Sequence, residues 1–468
     1  MLQKVLTKHW LVVSIGVTVL LTWFVSPGRV SSVAVAPLLW LSLLSAELYL
    51  LLPAVRTDEN FSAARTRALK SLSKDPFLYA GVLMVGFLCV QWLNGGCVPE
   101  YDVNAGVWNY SRPAVSWLPF SIDRGDALRV FNLMAACVVF GLCLRHAVGK
   151  QSKRYLLQWL SSISGVLALG MLWKGFPGVA PYAELMRGPA SSSLGSFFGF
   201  WMVVGFGAFA DSATHKKRAS VIIYFLGIIC NFSGLLYFAP LPSLILYAVA
   251  GLLMLIYLGA CLSASISKTY FIKFLMVTAI IIASVLALSV VVLPQSAVTD
   301  KLGMTADLSG YWENLWVTKD IRSQAAMEIW KGGMWFGKGV EGYQHYLGTV
   351  LNDKSWNLIR LNQGLVYNDG LQMLCEFGLL GVSIFSVLML TMIIPLCHHA
   401  RIAWVQHLRE GQAGWSYLQH ISPFVVTGVT ATLCCLGESF VSSPYRLPGL
   451  FVSVFIVMLT MPSFLPSK

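Results

Sequence analysis

Charge is scarce in this chain. Only 12% of its residues are Asp, Glu, Lys or Arg, while 56% are hydrophobic. Soluble globular domains carry about 25% charged residues, so that balance and a mean hydropathy of +0.68 exclude an ordinary soluble fold. Cysteine chemistry is also missing. Of ten cysteines, nine fall in apolar runs or at their edges, and Cys97 alone lies in a polar segment. No CxxC spacing points to zinc or redox chemistry, and a single such cysteine closes no intramolecular disulfide. His398 and His399 are adjacent and read as solvated or interfacial, so no metal site is expected. Internal repeats and low-complexity linkers are absent, as is the polar–apolar alternation of barrel strands.

Long apolar runs fill the space that charge leaves. A membrane-crossing helix needs about 20 apolar residues. Twelve runs qualify, at about 10–26, 33–55, 77–93, 127–147, 155–173, 190–210, 219–237, 240–263, 270–293, 370–396, 420–437 and 446–462. Backbone groups cannot stay unpaired in lipid, so these runs predict helices. The expected fold is an all-α integral membrane protein, one polytopic domain over 1–468. The first run follows Lys4 and Lys8 as a signal peptide would. Its flank Val25-Ser-Pro-Gly-Arg29 offers no small-residue cleavage site, so an uncleaved helix is expected.

Lysine and arginine set the orientation. One set of loops holds Arg56, Arg65, Arg67, Lys70 and Lys74, then Arg145, Lys150, Lys153 and Arg154, then Lys216, Lys217 and Arg218, and finally Lys268, Arg401 and Arg409. The opposite short loops hold little beyond Arg29 and Arg446. Both termini are therefore expected to be cytoplasmic. The net charge of +12 reflects this bias and an attraction to anionic lipid, and no nucleic-acid partner is implied.

Three outer segments break the hairpin rhythm: about 94–126, rich in Trp, Pro and Gly; about 174–189; and about 294–369, by far the longest. A long structureless loop is unusual in a compact protein and is usually functional. Part of the third is expected to be helical, because Lys319 to Trp335 alternates charged and apolar residues at near-helical spacing up to Gly332-Gly333. Tryptophans 312, 316, 330, 335 and 356 suit the headgroup level. A transporter or flippase would place charges along a central cavity, whereas the runs carry few beyond Glu47 and Lys273. Glu47 is expected to face the protein interior.

The densest polar stretch is Tyr367-Asn-Asp-Gly-Leu-Gln-Met-Leu-Cys-Glu-Phe-Gly-Leu-Leu-Gly381, where the longest outer segment enters an apolar run. Asn368, Gln372 and Glu376 are spaced i, i+4, i+8 and share a helix face. An acidic residue at mid-helix costs about 2.5–3.5 kcal/mol by insertion scales, which suggests use. Upstream lie Arg322-Ser-Gln-Ala-Ala-Met-Glu-Ile-Trp330 and Trp335-Phe-Gly-Lys-Gly-Val-Glu-Gly-Tyr343. Gly337-Lys-Gly339 lacks the Walker spacing and a preceding strand, so it reads as a turn. Asp123 and Arg124, adjacent near the end of the first outer segment, pair with each other or line an entrance there.

In that order, Arg-x7-Trp, Phe-Gly-x-Gly and Asn-Asp-x-Leu-Gln-x3-Glu-x-Gly-x2-Gly resemble the bacterial O-antigen ligase family, which includes O-antigen and exopolysaccharide polymerases. The similarity is most specific over about 320–382. Arg187-Gly-Pro-Ala-Ser-Ser-Ser-Leu-Gly-Ser-Phe more weakly resembles a segment those proteins carry before their sixth span.

The resemblance implies a glycosyltransferase in a bacterial cytoplasmic membrane. It would move a glycan from a polyprenyl diphosphate to the hydroxyl of a glycan, lipid or protein acceptor, without metal or nucleotide cofactor. Ligase and polymerase share that donor, and the sequence leaves both open. A leaving diphosphate gains negative charge, which an always-protonated, fork-shaped guanidinium suits. That role falls to Arg322 first and Arg187 second, with Lys338 touching diphosphate. Many family members carry His immediately before Asn-Asp; this chain has Tyr367. Tyrosine, with a pKa of about 10, is a poor base but a good donor to phosphate. Three readings stand: Tyr367 keeps a binding role, His345 supplies the base, or activity is lost and the chain is a non-catalytic partner in polysaccharide assembly. Asp369 orients the acceptor or caps the helix. Glu376 positions an arginine or pairs with one structurally.

Overall fold

The computed structural model describes residues 2–24, 32–51, 61–97, 99–102, 107–111, 113–172, 190–215, 218–265, 308–351, 365–409 and 421–465. The expected ninth span at 270–293, Lys273, Trp356 and Arg187 with its 174–189 segment lie outside them.

The described chain is overwhelmingly helical. Its helices are α1 (Leu2–Phe24), α2 (Ser32–Leu51), α3 (Phe61–Leu72), α4 (Pro76–Leu93), α5 (Arg124–His146), α6 (Lys150–Leu172), α7 (Ala190–Thr214), α8 (Arg218–Phe238), α9 (Leu241–Ser265), α10 (Leu308–Lys331), α11 (Gly342–Val350), α12 (Asp369–Arg409), α13 (Pro423–Glu438) and α14 (Pro448–Thr460). Seven of these, α4 to α9 and α12, are long and apolar enough to cross a membrane. Shorter apolar stretches lie at Leu11–Trp23, Ala36–Glu47, Pro423–Glu438 and Pro448–Phe464. Such a set suggests a multi-pass membrane protein.

The Trp- and Pro-rich segment near 94–126 differs from the open loop expected. It contains an antiparallel hairpin of β1 (Pro99–Asp102) and β2 (Val107–Tyr110). Tyr101 pairs with Trp108 and Pro99 with Tyr110. β-Branched and aromatic residues favour a strand even in runs this short.

The described chain falls into two compact units, each assembled from separate segments. The first comprises Met1–Ser152, Glu313–Ile394 and Ser439–Leu459. There α2 packs on α1, α3 and α5, and α4 packs on α5. Polar anchors start the helices. Asp75 caps α4 by accepting from the Phe77 amide at 3.0 Å, with Pro76 at the first turn. Asp123 caps α5 through the Gly125 amide at 2.6 Å. Arg124 donates to the Gly95 carbonyl at 2.6 Å, so the adjacent pair serves two separate anchors. Glu47, expected to point inward, is exposed instead. It lies on the face of α2 that packing against α1, α3 and α5 leaves uncovered.

The second unit comprises Lys153–Trp312, Pro395–Glu438 and Thr460–Lys468. Its centre is α7, against which α8, α9 and α13 pack. Trp201, Phe197, Phe198 and Phe200 of α7 are fully buried. Polar groups there are matched locally: Arg154 Nε and Gln158 Nε2 both donate to Asp211, and Ser196 and Ser243 donate to Glu438.

Candidate functional site

Within the first unit, the second and third motifs dock on each other at a break in a helix. α12 starts at Asp369 but loses helical geometry at Gly378, where φ is 63° and ψ is −172°. A break of this kind frees the amides of Leu379 and Leu380 and their usual acceptors, the carbonyls of Cys375 and Glu376. All four find partners in one segment. The Leu379 amide donates to Met334 O (2.9 Å) and that of Leu380 to Trp335 O (3.0 Å). In return, the Lys338 amide donates to Cys375 O (2.8 Å) and that of Gly339 to Glu376 O (2.9 Å). Gln91 Nε2 adds a bond to Glu376 O at 3.3 Å. Cys375 and Glu376 are buried, so either carbonyl left unpaired would cost about 1–3 kcal/mol.

The exchange explains the glycines. A Cβ on Gly337 would lie 2.4 Å from the Glu376 carbonyl, and one on Gly378 would lie 2.4 Å from the Gly337 nitrogen. Both residues also have positive φ, 71° and 63°. The turn itself falls just upstream, over 332–336, and Gly337-Lys-Gly339, expected to be the turn, is instead the segment that pairs with the broken helix.

Arg322, on α10, is 3% exposed. Its Nη1 donates to the Leu365 carbonyl at 2.6 Å, and its guanidinium stands 4.8 Å from the centre of the Tyr367 ring. A small core of Ala325, Ala326, Ile329, Tyr343, Leu347, Val366 and Cys375 holds α10, α11 and the start of α12 around that pair. Burial lowers the pKa of Arg322, against the opposing pull of Tyr367 and Tyr343. Burial raises that of Tyr343, which Arg322 opposes. Tyr367 has φ 57°, and Glu341 has φ 59°. Among the described residues these are the two non-glycine positions of positive φ, a geometry that concentrates at functional sites.

Glu341 and Glu376 share one partner, Arg446. Arg446 Nη1 donates to Glu341 at 2.9 Å, and its Nη2 pairs with Glu376. Arg129 reaches Glu341 at 2.8 Å and Asp126 at 3.3 Å. Burial would raise the pKa of Glu341, but Arg446 and Arg129 outweigh it and hold it below its ordinary value. For Arg446, burial alone would lower the pKa, and Glu376 with Glu341 drives it upward instead. Gln372 joins this network by donating to Glu376 at 3.0 Å, while its oxygen accepts from the Val366 amide at 3.4 Å.

Asn368 caps the start of α12, accepting from the Leu371 amide at 3.1 Å. Asp369 is 7% exposed and binds elsewhere: its Oδ2 accepts from the Tyr445 amide (3.3 Å) and its own amide donates to Ser439 O (2.9 Å). The carboxylate at the helix start thus ties α12 to the segment carrying Arg446. Lys338 donates to the Gly332 carbonyl at 2.8 Å with its Nζ 5.0 Å over the Tyr346 ring, and burial lowers its pKa.

His345 is not brought onto the Arg322 face. It lies two residues from Tyr343 on α11 and so on another side of that helix. There Tyr110 OH donates to the His345 carbonyl at 3.2 Å, and the two rings meet edge-on at 6.0 Å.

No protein-family model and no curated protein matches this chain.

The residue that sequence reasoning missed is Arg446. It appeared there as a rare cation on the outer side, and Glu376 was expected to have an arginine partner of unknown position. Their separation of 70 residues leaves no local spacing to link them.

Proposed function

We propose that this chain is an O-antigen ligase-like glycosyltransferase that moves a glycan from a polyprenyl diphosphate to an acceptor hydroxyl. In this reading twelve helices span a bacterial cytoplasmic membrane, both termini are cytoplasmic, and the 294–369 segment lies between the ninth and tenth spans on the outer face. The observation that carries it is the buried Arg322 guanidinium over Tyr367, at the junction where the three motifs meet.

Arg322 is a fixed positive group for the diphosphate as its charge grows, and it needs no reorganisation at the moment of transfer. Tyr367 supplies a hydroxyl donor beside it. A neutral phenol is a good donor and a poor base, so its role is binding. The acceptor oxygen attacks the anomeric carbon in line and the carbon–phosphate-oxygen bond breaks, which inverts the centre. The diphosphate oxygen released by that cleavage is the stronger site for the acceptor's proton. Ligase and polymerase share these steps and differ in the acceptor.

The test is glycan transfer in cells lacking the gene, complemented with wild type, Arg322→Ala or Tyr367→Phe, following both lipid-linked donor and finished glycan. Arg322→Ala should abolish product and accumulate donor. Unchanged pools on deletion would replace this reading with that of a non-catalytic partner.

A further inference from the structure

The side of α11 turned toward the hairpin carries a second group of side chains that the donor chemistry does not use. Tyr110 of β2 lies 5.2 Å from the Tyr346 ring and 6.0 Å from that of His345. All three are half-buried, unlike Tyr343 on the same helix, which is fully buried in the core. Tyr346 packs one side against that core and leaves part of its ring open. Tyr110 is held in place by its hydroxyl bond to the His345 carbonyl, so its ring is preset before anything binds.

Charged groups border the rings. Asp126 of α5, within electrostatic reach of His345, is 29% exposed and meets Arg129 at 3.3 Å. Lys338 stands over Tyr346 on the other flank. The chemistry is that of a neutral, many-hydroxyl ligand. Aromatic faces suit the C–H side of a pyranose, a carboxylate accepts two hydroxyl hydrogens, and flanking cations donate to ring and hydroxyl oxygens. Of the two carboxylates nearby, Asp126 keeps an exposed edge for a hydroxyl, while Glu341 is taken up by Arg446 and Arg129.

We propose that Tyr110, Tyr346, His345 and Asp126 form a saccharide subsite, apart from the Arg322 face of α11. The proposal rests on the transferase reading above and names where a sugar is held. A saccharide reaches such an enzyme from two sources, the donor glycan and the acceptor, and kinetics separates them.

The experiment uses the full-length protein in lipid nanodiscs, with donor and acceptor concentrations varied independently for wild type, Tyr110→Ala and Asp126→Asn. Loss of one stacking ring should raise one KM about three- to tenfold with kcat preserved. Movement of the acceptor KM assigns the subsite to the acceptor, and movement of the donor KM assigns it to the donor glycan. In an active enzyme, unchanged KM values for both substrates in both variants overturn the subsite and leave the transferase reading intact. If wild type transfers nothing, saturation-transfer NMR decides, with oligosaccharide released by mild acid from the source cell envelope as probe. Binding by wild type that weakens in Asp126→Asn, a variant with no packing lost, supports the subsite without the transferase. Absence of binding, or equal binding in wild type and variant, overturns it.

Discussion

Arg322 is more than a charge. Its Nη1 bond to Leu365 O and its stacking on Tyr367 both use the planar fork of a guanidinium. Arg322→Lys keeps the charge and loses that geometry, so donor turnover should fall about ten- to hundredfold, in line with the loss of one or two charge-assisted hydrogen bonds. Wild-type turnover in the lysine variant would show that charge alone suffices. Arg446 makes a stability prediction. Its removal leaves the Glu341 and Glu376 carboxylates buried together, which costs about 3–5 kcal/mol for a broken buried pair. Arg446→Ala should therefore melt several degrees lower in detergent, and adding Glu376→Gln should recover part of the loss. Glu341 sets a pH dependence. Its pKa is depressed on folding, so the native state binds fewer protons than the unfolded one. The stability it contributes is complete above the unfolded carboxylate value of about 4.3 and fades as pH falls toward the lower native value. Glu341→Gln should flatten the acid limb of a melting-temperature profile, and a limb of unchanged slope would exclude Glu341 as its source. The Gln372–Glu376 pair was legible because helical period is local, whereas Asn368 sits just outside α12 as its cap. Arg446 was not legible, because long-range pairing has no period.

Among elements, α12 shows where sequence spacing stops being informative. The glycines of Phe336-Gly-Lys-Gly339 and of Glu376-Phe-Gly378 were visible as two separate patterns. Their shared cause is a docking between segments about 40 residues apart in sequence, and neither pattern states it. The hairpin was missed for a related reason: four-residue strands are too short to register against a background of aromatic and proline residues. Glycine substitutions test the docking. Gly378→Ala places a methyl 2.4–2.5 Å from the backbone of Gly337 and Trp335, at φ 63°. Backbone on both sides cannot rotate away as a side chain would. The variant should lose most folded protein on size-exclusion chromatography in detergent. Gly86→Ala in α4 meets nothing within 4 Å and gains helix propensity, so it should match or slightly exceed wild-type stability. Equal yields from the two variants would remove the docked break as a structural requirement.

At the scale of the whole chain, run length and charge asymmetry were the strongest signals. Hydrophobic runs long enough to cross a bilayer have few other uses, which is why α4 to α9 and α12 fall on expected spans. The grouping into two units was invisible, since each is assembled from segments far apart in sequence. Orientation rests on the cations. Arg65, Arg67, Lys70 and Lys74 cluster around α3 and the turn after it, while the segment bearing the hairpin across α4 sets Arg112 and Arg124 against Glu100, Asp102, Asp123 and Asp126. Translocation of a short loop becomes costlier with each Lys or Arg, so α3 should stay cytoplasmic and the hairpin should be exported. Single cysteines at Ser73 and Ser111, in a background lacking the native ones, read this directly with a membrane-impermeant maleimide. Ser111→Cys should label in intact spheroplasts and Ser73→Cys only in inverted vesicles. The reverse pattern would put Arg322, Tyr367 and the saccharide subsite on the cytoplasmic side. Nucleotide sugars are abundant there, and the argument for a lipid-linked donor would lose its footing.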